Sequence, residues 1–170
     1  MAANRIPAVD PLEHRGPFRR AFHAFGRSAA GRWYGIHIAS RIDPPLQRLT
    51  RGRIATTSML PLVLLGVRGR KSGELREITL VYFTDGDDVI LIASSFGREK
   101  HPAWYLNLKA NPDCELTAGG ETSPYHCEQV PEGPERDRLY ELAKANYAGY
   151  GDYEDMAGER RIPVLRLSPR

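Results

Sequence analysis

The sequence predicts an α+β protein built on a small antiparallel barrel of about six strands. Apolar or alternating runs of strand length recur at 60–67, 76–84, 89–94, 113–118, 123–130 and 161–167. Turn-forming clusters join them in pairs, Asp85-Gly86-Asp87-Asp88 and Gly119-Gly120 being the strongest. Helical patterns fall at the ends and between hairpins, which fits helices flanking an antiparallel sheet. A chain of 170 residues is long enough to bury a core without disulfide staples. It divides by character into a basic N-terminal arm with amphipathic helices, 1–58, and the strand-rich region, 59–170, with no linker, internal repeat or low-complexity tract between.

Taken in order, 1–16 is polar and reads as a loose arm. The stretch 17–25 looks helical, with Pro17 in its first turn and Phe18, Phe22 and Phe25 on one face. A second amphipathic stretch carries Trp33, Tyr34, Ile36, Ile38 and Ile42, then Leu46 and Leu49 after Asp43-Pro44-Pro45. Arginines alternate with these apolar residues, so the segment either covers the core or lies on an anionic membrane surface. Beyond the third strand, 95–100 is a polar loop. A short helix over 102–110 follows, opened by Pro102 and stopped by Asn111-Pro112. The run 134–147 is a helix with Leu139, Leu142 and Ala143 inward, and 161–167 closes the chain as a strand.

Charge is distributed unevenly. Residues 1–76 hold 14 Lys and Arg against 4 Asp and Glu, a net of +10, whereas 77–170 hold 10 against 17, a net of −7. An anionic partner for the first half is the expectation: a phosphate ligand, a membrane surface or nucleic acid. Nucleic acid is the weakest of these, since neither a recognition helix nor an exposed aromatic sheet is evident. Cys114 and Cys127 lack metal spacing; a four-residue turn at 119–122 would place them opposite each other, as reduced thiols of a cytoplasmic protein. No apolar run is long enough to span a bilayer, and the charged N-terminus is not secretory. The five histidines are scattered, and there is no nucleophile elbow, Walker loop or dinucleotide fingerprint.

What the sequence does offer is the tip of the first hairpin, Gly69-Arg70-Lys71-Ser72-Gly73, flanked by Arg68 and Arg76. Glycines there can turn backbone amides toward one point, and the crowded cations make sense around a phosphate or carboxylate. A solvated basic turn is the other reading. Ser94 and Ser95 end a strand. Trp104 and Asn107 share a helical face, the former suited to stacking on a flat ring or to plugging the barrel end. Tyr147, Tyr150 and Tyr153, spaced by three around glycines, read as a mobile, hydroxyl-bearing wall over a pocket.

In their order and spacing, Gly69-Arg70-Lys71-Ser72-Gly73 with Arg76, Ala93-Ser94, His101-Pro102-Ala103-Trp104-Tyr105-Leu106-Asn107-Leu108, Ala110-Asn111-Pro112, the tyrosine triplet and Arg161-Ile162-Pro163-Val164 resemble the actinobacterial deazaflavin-dependent nitroreductase family. The resemblance spans about 60–167. It implies a small antiparallel split β-barrel with flanking helices and an N-terminal helical extension. It also implies binding of the reduced deazaflavin coenzyme F-420, with FMN, used by related split barrels, as the runner-up. On that resemblance Arg70, Lys71, Ser72, Gly73 and Arg76 hold the phosphate and the acidic glutamyl tail. Ile92, Ala93, Ser94 and Ser95 face the ring or its ribityl chain. Ala103, Trp104, Tyr105, Leu106 and Asn107 form the opposite wall, and Tyr147, Tyr150 and Tyr153, with Ser94, serve the acceptor side. The implied activity is an oxidoreductase passing hydride to a quinone, activated enone or nitroaromatic; a non-catalytic deazaflavin carrier is the alternative. Monomer and homodimer are both open, as is peripheral contact with the inner face of the membrane. Two departures bear on substrate: Gly66-Val67-Arg68 replaces a threonine-rich lead-in, and Val81 stands where the prodrug-reducing member has tyrosine, with Tyr82 one place along.

Overall fold

The computed structural model describes residues 6–13, 28–56 and 60–170. The helix expected over 17–25 and most of the N-terminal arm lie outside the described residues.

Six strands close a barrel: β1 (Leu62–Arg68), β2 (Leu75–Asp85), β3 (Asp88–Ile92), β4 (Asp113–Ala118), β5 (Glu121–Gln129) and β6 (Val164–Pro169). Their order around it is β1-β2-β3-β6-β5-β4, with β4 returning to β1. Every neighbouring pair is antiparallel. Closure removes the free edges that an open sheet of this size would expose.

The period-two alternation of side chains creates two cores. Val63, Leu65, Val67, Tyr82, Leu91, Leu116, Tyr125 and Leu167 fill the barrel interior. On the outer surface Phe83, Ile90, Ile92 and Val164 pack under α4 (Pro134–Asn146) and α5 (Gly149–Met156), meeting Leu139, Tyr140, Ala143, Tyr150 and Tyr153. The other helix of the C-terminal two-thirds, α3 (Ala103–Ala110), lies against the barrel with Trp104, Tyr105 and Leu108 buried.

Two sequence expectations are corrected. The β4–β5 turn is the two residues Gly119-Gly120, both at positive φ, and the register pairs Cys114 with Tyr125. The Cys127 amide instead donates to Pro112 O, so the cysteines are diagonal neighbours, not opposite. Both are free and buried, and burial pushes each thiol up to about 12, which leaves them protonated and unreactive. The N-terminal helix runs through Pro44-Pro45. Helix α1 (Ala29–Tyr34), a π-helical turn (Gly35–Ala39) and α2 (Ser40–Thr50) form one run. The prolines remove amides that would reach back to Ser40 and Arg41, and those residues are exposed, so water can satisfy their carbonyls. Finally, the tyrosine-glycine run, expected as a mobile wall, is helical over Gly149–Met156.

Helix α2 is held by polar contacts to the loop that follows it and to the barrel. Asp43 Oδ1 accepts the Thr56 amide at 2.7 Å, and Gln47 Oε1 accepts the Thr79 hydroxyl at 2.9 Å. At its C-terminus Gly52 takes φ +74°, a Cβ there would lie 2.6 Å from Ala118 Cα, and the Gly120 amide donates to Arg51 O at 2.8 Å. Substituting Gly52→Ala is therefore expected to cost more than ~1 kcal/mol and lower Tm by about 3 °C or more, measured by thermal denaturation. An unchanged Tm would show that this helix end is not docked on the β4–β5 turn.

Candidate active site

Between the outer face of β1–β3, the N-terminal helix and the tyrosine run lies a cavity of about 660 Å³. Its floor is Leu62, Thr79, Val81 and Ile92, on the same outward face as Phe83. Tyr34, Gly35, Ala39 and Asp43 form one wall, and Tyr147, Tyr150, Tyr153 and Phe96 the other. Ser94, Ser95, Ala103 and Trp104 also line it. This is the predominantly apolar, sparsely polar concavity in which small flat ligands bind.

The tyrosine wall is packed. Rings of Tyr147 and Tyr150 meet edge-on at 5.4 Å, and those of Tyr150 and Tyr153 at 6.2 Å. The hydroxyls of Tyr147 and Tyr153 are 3.4 Å apart. Gly149 makes this possible, since a Cβ there would stand 2.4 Å from the Tyr147 ring. Beneath, the Tyr140 hydroxyl donates to Tyr150 O at 2.9 Å and ties α5 to α4. Desolvation, with Tyr147 and Tyr140 adding to it, raises the Tyr150 pKa far above that of a free phenol. Its hydroxyl is thus a neutral donor at physiological pH, suited to meeting developing negative charge and unsuited to acting as a base.

The cationic tip keeps its own geometry. The Gly69 amide donates to Glu74 O and the Gly73 amide to Gly69 O, both at 2.8 Å, with Gly73 at φ +71°. Arg76 is engaged by Glu74 at 2.6 Å, and the Arg68 guanidinium donates to Gly73 O at 3.2 Å. Ser72 Oγ accepts the Glu74 amide. Arg70 and Lys71 are exposed, with no carboxylate partner among the described residues. The tip is joined to the cavity side of the molecule by α3, where Asn107 Oδ1 accepts the Arg70 amide at 3.1 Å.

Several residues assigned to the ring's opposite wall stand elsewhere. Asn107 braces the tip. Tyr105 turns away, its hydroxyl donating to Gln129 Oε1 at 2.7 Å, and Leu106 packs on the barrel interior. Ala93 is fully buried within the barrel and is not among the residues lining the cavity; its amide donates to Pro163 O and its carbonyl accepts from Arg160. Sequence reasoning also missed the helical wall of Tyr34, Gly35 and Asp43, together with Phe96 and Arg160. A lone acid among the N-terminal arginines was a signal for Asp43; Arg160 carried none. That arginine donates to Ala93 O, Ser94 O and Arg98 O and lies 3.5 Å from His101 Nδ1.

Desolvation, then the charges of Arg160 and Lys109, hold the His101 pKa below its usual 6.5. The unfolded chain therefore binds a proton more readily than the native one. Native stability is full above about pH 6.5 and falls as pH drops through the window below it. We expect Tm to decline on acidification from pH 7.5 to 5.5, and His101→Gln to flatten that decline in thermal melts; an unchanged slope would remove His101 from the effect.

Residues 39–169 match the model of a family described as F420H(2)-dependent quinone reductase. An F420H(2)-dependent quinone reductase of Mycobacterium tuberculosis (strain ATCC 25618 / H37Rv) is 34% identical over 146 residues, covering 82% of this chain and 97% of that protein. A solved F420-H2 dependent reductase, FDR-A, superposes with a TM-score of 0.58 at 34% identity, covering 64% of this chain and 94% of its own. A domain-swapped dimer gives 0.59 at 31% identity, covering 73% and 94%. HutZ, a heme storage protein of Vibrio cholerae, shares the fold alone, with a TM-score of 0.51 at 11% identity over 74% of this chain and 89% of that one. The chain belongs to the F420H(2)-dependent quinone reductase family.

Proposed function

We propose that the protein is an oxidoreductase that takes hydride from the reduced deazaflavin coenzyme F-420 and delivers it to a quinone held in the apolar cavity. The observation that carries this reading is the coupling of two dissimilar parts: an apolar cavity lined by Ser94 and Trp104, and a cationic tip fastened to the same helix through Asn107. A flat ring with an acidic tail fits that pair, whereas a wholly apolar or wholly anionic ligand would use only half of it. Bound there, the coenzyme would supply the hydride chemistry, leaving the protein to position, desolvate and donate hydrogen bonds.

On this reading Arg70 and Lys71, whose side chains have no carboxylate partner among the described residues, take the anionic tail, with the Gly73 hinge, Ser72 and Arg76 shaping the loop around it. Ile92, Ser94 and Ser95 meet one edge of the ring, Ala103 and Trp104 another. Tyr147, Tyr150 and Tyr153 border the acceptor, and the neutral Tyr150 phenol is the hydrogen-bond donor. Enones and nitroaromatics share the electrophilic character of quinones and remain acceptors to be tried, with Val81 leaving the floor without a hydroxyl at that point.

Membrane contact has its own support. Trp33, Ile42 and Leu49 are exposed along the N-terminal helix beside Arg41 and Arg48, an apolar and basic face suited to anionic lipid. No helix of the described residues is long and apolar enough to cross a bilayer. A homodimer is the assembly suggested by the domain-swapped relative.

Fluorescence titration tests the reading: F-420 is expected to bind far more tightly than FMN, and equal affinities would overturn the cofactor assignment. Replacing Lys71→Ala removes one charge-assisted contact and should raise the F-420 Kd roughly tenfold, leaving kcat at saturation within about twofold. Loss of kcat alone would contradict the anion-binding role. In Tyr150→Phe the kcat with menadione should fall while the coenzyme Kd holds; no change in either would take Tyr150 out of the reaction.

A further inference from the structure

Three consecutive residues at the cavity rim, Ser95 (φ +53°), Phe96 (φ +55°) and Gly97 (φ +75°), lie in the left-handed region. Only the last is glycine, so the turn is strained at two side-chain-bearing positions. Its internal bonds are short-range: the Gly97 amide to Ser94 O at 3.0 Å and the Arg98 amide to Ser95 O at 3.2 Å. The turn is nonetheless held in place from both sides. Gly97 is pressed against α5, where a Cβ would lie 2.7 Å from Met156 Cβ. The Phe96 ring stands between the N-terminal helix and the tyrosine wall. A Cβ on Gly35 would meet it at 3.3 Å, and its centroid is 6.0 Å from that of Tyr153, edge-on.

We propose that Arg160 is a positioning residue for the reaction, a staple that holds the strained 94–97 turn in the shape that forms the cavity rim. One guanidinium reaches carbonyls before and after the turn. Nη1 donates to Ala93 O at 3.2 Å, Nη2 to Ser94 O at 2.7 Å, and Nε to Arg98 O at 2.9 Å. Arg160 forms no salt bridge among the described residues, so its charge is met by carbonyl dipoles instead of a carboxylate. A planar fork can span three acceptors in this way; an ammonium, as a point donor, cannot. Partial burial supports the arrangement by depressing the Arg160 pKa through desolvation, since a guanidinium drawn out of water needs its donors satisfied. The consequence is that Ser94 and Ser95, which line the cavity, depend for their placement on a residue more than sixty positions away. This inference rests on the coenzyme-binding reading above.

The test compares wild type with Arg160→Gln and Arg160→Lys by three measurements: amide hydrogen exchange in the coenzyme-free protein, F-420 titration, and kinetics with menadione. Arg160→Gln is expected to speed exchange across 93–98 about tenfold, with the β1–β2 strands unchanged, and to raise the F-420 Kd about tenfold. Arg160→Lys keeps the charge but loses the fork, and should loosen the same segment and weaken binding in the same direction. Unchanged exchange in Arg160→Gln would overturn the staple. Faster exchange with unaltered Kd and KM would reduce Arg160 to a purely structural role and overturn the positioning claim, as would full retention of both by Arg160→Lys. If Arg160→Gln does not fold, the lysine variant decides alone by the same two readouts. Failure of the wild type to bind F-420 would overturn the functional reading instead; binding by the wild type with an unaffected variant would overturn this one.

Discussion

The site depends on the hydrogen bonds that tie the hairpin tip to α3: the Arg70 amide donates to Asn107 Oδ1 at 3.1 Å, and Asn111 Nδ2, at the helix C-cap, donates to Arg68 O at 3.3 Å. A hairpin tip of six residues is free to swing about its strands, and its cations repel one another. Holding one end to α3 fixes where the positive charge stands relative to Ala103 and Trp104, which belong to the same helix and line the cavity. The internal pairs then decide which cations remain for a ligand. Arg76 is committed to Glu74 and Arg68 to the Gly73 carbonyl, whereas Arg70 and Lys71 face solvent. Because these two are exposed, their attraction for an anion is strongest at low ionic strength and gains most from direct hydrogen bonding to the bound group.

At the other end of the site the governing effect is desolvation. The three phenols lie close to one another in an apolar wall, and removing a phenolate from water costs more than its neighbours can return. Tyr150 therefore favours the neutral form. On the proposed reading, a neutral donor in an apolar cavity suits a hydride acceptor that becomes more basic as it is reduced. The arrangement needs no nucleophile, and the two thiols, protonated on the barrel's own hairpin, stand outside it.

Much of the barrel was legible in the sequence because strand alternation and turn chemistry are local signals. The Asp85–Asp88 and Gly119–Gly120 turns fell where glycine and aspartate marked them, and the apolar runs became β1 to β6 with ends shifted by a residue or a few. The cysteine register failed for a local reason: two glycines at positive φ are enough for a two-residue hairpin, so the longer turn was unnecessary. Pro44 and Pro45 are tolerated inside the N-terminal helix because burial of Asp43, Pro44 and Gln47 against the barrel outweighs two missing amides whose acceptors face water. The hairpin tip and, around the cavity, the tyrosine run could be located from residue type and spacing. The helical wall, Phe96 and Arg160 could not, since their roles exist only where distant segments meet.

The same distinction explains how a rigid barrel can carry a site made largely of loops and helix ends. Barrel closure fixes β2 and β3, hence the floor of Val81 and Ile92, but it says nothing about the backbone after Ile92, where pairing ends. From there the chain turns through left-handed conformations that a strand would not adopt, and it needs restraint from outside the sheet. Packing on α5 supplies part of that restraint and the Arg160 carbonyl contacts supply the rest. Phe96 then transmits the turn's position to Gly35 and Tyr153, so both side walls of the cavity are spaced by one aromatic ring. The width of the cavity is in this sense set by a strained turn, and the barrel beneath provides the fixed surface against which that strain is held.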